Sequence, residues 1–108
     1  MILENIHYLL QFDDRGNLLA LVSKSSGRNY IVKDGCSLFR LTMTEIIKNR
    51  VMPGTLALTG DMAEQIDFIQ QSQCLEIDYR NLDGMPVTVK STIGFMDEEI
   101  HWNILIEN

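Results

Sequence analysis

Apolar and polar residues alternate in short stretches along this chain, and small turn-forming residues separate the stretches. From Ile6 to Phe12 the alternation puts Tyr8, Leu10 and Phe12 on one side and His7, Leu9 and Gln11 on the other. That is the period of a half-buried strand. Asp13-Asp14-Arg15-Gly16-Asn17 supplies turn chemistry, with Gly16 free to take positive φ. Leu18 to Lys24 follows as a strand, so residues 6–24 are predicted to form a hairpin. A second turn, Ser25-Ser26-Gly27-Arg28-Asn29, leads into Tyr30-Ile31-Val32; Lys33-Asp34-Gly35 turns again, and Leu38 to Met43 is strand-like.

The middle of the chain has two readings. Thr42-Met43-Thr44-Glu45 has the form of a capping box, Ile46, Ile47 and Val51 follow, and Pro53-Gly54 closes the segment. The pattern predicts either a short helix at about residues 44–51 or an irregular loop between strands. Thr55–Thr59, Glu64–Gln70, Cys74–Arg80, Val87–Phe95 and Ile100–Ile106 then read as strands. Asp83-Gly84 suits a primed hairpin turn between two of them. Roughly nine strands, with no βαβ rhythm and no long amphipathic helix, predict an all-β fold, an antiparallel β-sandwich or barrel.

The later strands also predict which faces are buried. Leu75, Ile77 and Tyr79 oppose Glu76 and Asp78, and Val87 and Val89 oppose Thr88 and Lys90, as in a sheet with one wet face. Ile100, Trp102, Ile104 and Ile106 share a face, which assigns Trp102 to the core.

Composition sets the outer bounds. The 108 residues are 45% hydrophobic, enough for one domain over residues 1–108 and too apolar for a disordered chain. No apolar run approaches the roughly 20 residues of a membrane span. Nine Lys and Arg against fifteen Asp and Glu give a net charge of -6. Scattered basic residues and net negative charge argue against nucleic acid and against an anionic membrane surface as partners. The amino terminus lacks a secretory leader pattern, so the expectation is cytoplasmic residence or a leader already removed. Ile104-Leu105-Ile106-Glu107-Asn108 reads as a strand still running, and on that ground the chain is expected to be a piece of a longer protein.

No residue pattern specifies catalysis, a metal or a cofactor. His7 and His101 lack metal-ligand spacing. Asp97-Glu98-Glu99 and Asp13-Asp14 read as solvated loop charge, and Asp13 to Asn17 departs from a calcium loop. Cys36 and Cys74 are too few for a disulfide scaffold and are expected to be small buried thiols. The aromatic residues are expected to be core, with at most one or two exposed.

A resemblance emerges from the first two turns. Phe12-Asp13-Asp14-Arg15-Gly16-Asn17-Leu18-Leu19-Ala20-Leu21-Val22, followed by Lys24-Ser25-Ser26-Gly27-Arg28-Asn29-Tyr30-Ile31, resembles the opening of galactose-mutarotase-like β-supersandwich domains of bacterial glycoside hydrolases. Leu38-Phe39-Arg40-Leu41 is similar to the strand that follows, and Ile100 to Asn108 to a later one. Those domains are far longer, so the resemblance implies roughly the first half of one. It carries over no catalytic His or Glu. It implies a non-catalytic accessory domain that packs against an adjacent catalytic domain of a carbohydrate-active enzyme and contributes to carbohydrate binding.

Arg28, Asn29 and Tyr30 are then the candidate ligand-binding residues, a ring beside amide and guanidinium donors. The competing reading puts Asn29 in a left-handed turn and Tyr30 in the core. An alternative of another class is a stand-alone interaction protein that forms a homodimer through β-strand edges. A third is a small mutarotase-type isomerase using His7 or His101 as general acid or base.

Overall fold

In the computed structural model, which describes residues 1–31, 35–47 and 50–107, the alternating stretches pair as antiparallel strands and the fold is all-β. Strands β1 (Ile2–Glu4), β2 (Tyr8–Phe12) and β3 (Leu18–Ser23) form a three-stranded sheet. Strands β4 (Arg40–Ile47) and β5 (Arg50–Thr59) pair with each other. A 3-10 turn, Gly60–Met62, leads into a four-stranded meander of β6 (Ala63–Gln71), β7 (Cys74–Leu82), β8 (Thr88–Met96) and β9 (Glu99–Glu107).

The hairpin expected over residues 6–24 forms. Tyr8 pairs with Ser23 and Leu10 with Leu21, and a bulge at Gln11/Phe12 shifts the register. Asp83 and Gly84 take φ of 51° and 74°, and the Met85 N–H donates to the Leu82 carbonyl at 3.0 Å, the primed turn expected there. Neither a helix nor an irregular loop occupies the described part of residues 44–51. β4 and β5 run through it, pairing Thr44 with Thr55 and Ile46 with Val51; residues 48–49 lie outside the described residues. Thr and Ile branch at Cβ and favour extended backbone. Pro53, which has no N–H, falls in the register shift between those two pairs, where no ladder bond is asked of it.

Two further differences are local. β1 is too short to carry a period, yet Leu3 is 1% exposed. Tyr30-Ile31 is not a strand, although isolated bridges tie Val22 to Asn29 and Leu18 to Cys36. Val32 and the Lys33-Asp34 part of the next turn lie outside the described residues.

The three-stranded sheet lies against one face of the meander, giving a sandwich-like core. Leu3, Leu10, Phe12 and Leu18 meet Leu75, Ile77, Tyr79, Val89 and Ile93 in one buried cluster. Each such aliphatic side chain contributes about 1.5–3 kcal/mol on burial. Tyr79, from the middle of β7, fixes the relation of the two layers. Its ring packs edge-on to Phe39 with centroids 4.9 Å apart, and its hydroxyl donates to the Gly16 carbonyl. Gly16 at φ +75° and Gly60 both lie so close to Tyr79 that a Cβ would fall 2.5 Å from its hydroxyl oxygen at Gly16 and 2.5 Å from a ring carbon at Gly60.

Candidate functional site

The turn after β3 presents its three candidate residues to solvent. Gly27, at φ 71°, is the left-handed residue there, and Asn29 is not. Asn29 instead uses its Oδ1 to accept from the Leu21 and Ile31 N–H groups, both at 3.1 Å. Its side-chain oxygen therefore braces the turn. Tyr30 does not plug the core. It is 52% exposed, and the Arg28 guanidinium sits 5.1 Å from its ring centroid, a cation–π contact covering one ring face.

A second surface lies at the far edge of the meander. Ile93 pairs with Trp102, Ser91 with Ile104 and Val89 with Ile106. Directly paired residues share a face, so the β9 row continues the buried row of β8. The layer above does not reach it. Val89, Ser91 and Ile93 are at most 1% exposed, whereas Trp102, Ile104 and Ile106 are 39%, 45% and 52% exposed. The expected burial of Trp102 is thus corrected: it is on the core face but beyond the cover of β1–β3. Its indole leans back over the sheet and donates from Nε1 to the Ser91 Oγ at 2.8 Å.

His101 lies within 3.0 Å of the Glu99 carboxylate on β9, and His7 sits in the bend before β2. Asp13 caps its own turn, accepting from the Arg15 and Asn17 N–H groups at 2.9 Å. Arg15 reaches across to the Asp61 and Ala63 carbonyls. Cys36 is exposed and Cys74 half-buried, so neither is the buried thiol expected, because each stands at the margin of a sheet rather than beneath one. Among the described residues no cluster of His, Cys, Asp or Glu could hold a metal ion. Asp78 is 3% exposed on the face predicted to be wet, with its Oδ2 3.3 Å from Arg80 Nη2.

The chain matches no protein-family model, no curated protein and no solved structure.

Pattern alone missed the β9 surface because alternation reports which residues share a face, not how far the opposing layer extends. The signal in the sequence was the row Ile100, Trp102, Ile104 and Ile106 between Glu99 and Glu107, seven residues without Lys, Arg, Asp, Glu or Pro.

Proposed function

We propose that this chain is a non-catalytic β-sandwich interaction module that binds an extended polypeptide strand along β9. The uncovered continuation of its core onto Trp102, Ile104 and Ile106 carries this reading. An apolar row on an unpaired edge offers both main-chain hydrogen bonds and alternate side-chain contacts to an added strand. Titration of nine-residue peptides, one alternating apolar and polar residues and one scrambled, followed by Trp102 emission, tests it. The alternating peptide shifts the emission to the blue and Ile104→Lys abolishes the shift. Emission unmoved by either peptide in protein dilute enough to be monomeric overturns the reading.

A second reading is favoured by the exposed Tyr30 ring with Arg28 against it. In this reading the chain is an accessory domain of a carbohydrate-active enzyme, packed against the adjacent catalytic domain, and Arg28, Asn29 and Tyr30 touch the glycan. One free ring face and the Asn29 amide nitrogen suit a hydroxyl-rich ligand. Electrophoresis through gels containing polysaccharide tests it with Arg28→Ala and Tyr30→Ala. Retardation lost in both variants supports the sugar role, and mobility equal to the unsubstituted chain removes it.

A further inference from the structure

We infer that the strand received by β9 is β9 of a second copy of this chain, paired antiparallel about Ile104. The inference rests on the strand-binding reading above and names its occupant. A two-residue turn, Asp97-Glu98, joins β8 to β9, and Met96 pairs with Glu99 across it. The turn's hydrogen bond directs the Glu99 N–H toward β8. Pairing then runs without a register shift to Thr88 and Glu107. Because hydrogen-bonding direction alternates along an antiparallel strand, Ile100, Trp102, Ile104 and Ile106 point their N–H and C=O groups away from the sheet. The residues with open backbone groups are therefore the residues of the uncovered apolar row.

The other edge of this meander is guarded. β6 carries Glu64 and Asp67, and charge on an edge strand discourages pairing. β1 is only three residues long. β9 runs for nine residues, and its centre has no acidic or basic residue except His101.

The β9 sequence is also complementary to itself. A two-fold axis between the two Ile104 residues sets Trp102 opposite Ile106 of the second copy, twice. Aromatic and β-branched residues are favoured cross-strand partners. On the other face the same register sets His101 opposite Glu107 of the second copy. Shifting the axis to Asn103 would instead oppose Glu99 and Glu107 at both ends, where like charges destabilise. The contact is isologous and closes on itself. Both apolar rows lie on the same side of the joined sheet and flank each other. The charge of -6 on each copy opposes association at long range, so added salt strengthens it.

Two measurements test the inference on the whole chain. Light scattering after size exclusion should show the mass rising from 12.4 kDa toward twice that value with concentration, and more readily at high salt. Ile104→Lys should hold the chain at the monomer mass with its circular dichroism unchanged. In a background with Cys36 and Cys74 replaced by Ser, Ile104→Cys should cross-link to the double mass on mild oxidation and Ile106→Cys should not. A monomer at every concentration, or cross-linking at Ile106 in preference to Ile104, overturns the inference. A monomer whose Trp102 still responds to the alternating peptide removes the second copy alone; no response to peptide either removes the strand-binding reading as well.

Discussion

The Tyr79 hydroxyl donates a 2.6 Å hydrogen bond to the Gly16 carbonyl, joining the middle of β7 to the turn between β2 and β3 across 63 residues of sequence. The turn between β2 and β3 thus ties the two layers together. Asn17 strengthens the same junction by donating to Asp61 at 2.8 Å.

Tyr79→Phe is expected to destabilise the fold by about 1–2 kcal/mol, the worth of one buried hydrogen bond together with an unpaired carbonyl. Gly60→Ala should cost about 1–3 kcal/mol through overpacking against the ring. Gly16→Ala should cost more than Gly60→Ala, because it adds strain at positive φ to the same collision. Urea midpoints at constant slope check the order.

Alkaline pH should unfold the protein through the same residue. Burial, with the negative charges of Asp13 and Asp61 adding to it, pushes the Tyr79 phenol well above its ordinary value of 10.0. The folded chain keeps this proton where the unfolded chain releases it, so stability is whole below pH 10 and declines as pH rises beyond it. Chemical denaturation at several pH values, with and without Tyr79→Phe, tests this. The variant should lose the steep part of the decline.

Arg80 is the partner of a buried carboxylate. It reaches Asp78 at 3.3 Å and Asp67 at 3.0 Å, while the Asp78 Oδ1 has no hydrogen-bond partner among the described residues. Arg80→Ala should cost roughly 1–3 kcal/mol, because it strands the Asp78 charge. Asp78→Asn in the same chain should recover part of that loss. Thermal melts of the single and double variants decide; equal losses in both would remove the role assigned to Asp78.

Much of the sandwich was legible in period-two alternation. The β7 row Leu75, Ile77 and Tyr79 and the Gly16 and Asp83-Gly84 turns stand where local chemistry puts them. The hairpin of β4 and β5 was not legible, because Thr42-Met43-Thr44-Glu45 also satisfies the start of a helix and only strand pairing decides between them. Tyr79 could be assigned to the core, but not its partner, since nothing local links residue 79 to residue 16. The turn over residues 25–29 was legible from its Ser, Gly and Asn residues, but the exposure of Tyr30 was not, because the same pattern allows its ring in the core. The arrangement of Asn29 was not, because its side chain answers to Leu21 on the neighbouring strand.

Exposed residues of that turn can be changed without harm to the fold. Tyr30→Ala and Arg28→Ala should each leave stability within about 0.5 kcal/mol of the unsubstituted chain. Urea denaturation checks this, and larger losses would mean that Tyr30 braces the turn.

Amide hydrogen exchange along β9 at low and high protein concentration tests strand binding most directly. The amides of Glu99, His101, Asn103 and Leu105 face β8 and should be protected at every concentration. Those of Ile100, Trp102, Ile104 and Ile106 should exchange freely in dilute protein, and protection at Trp102, Ile104 and Ile106 should rise with concentration. Free exchange of these three amides at every concentration would contradict an edge that receives a second copy's strand.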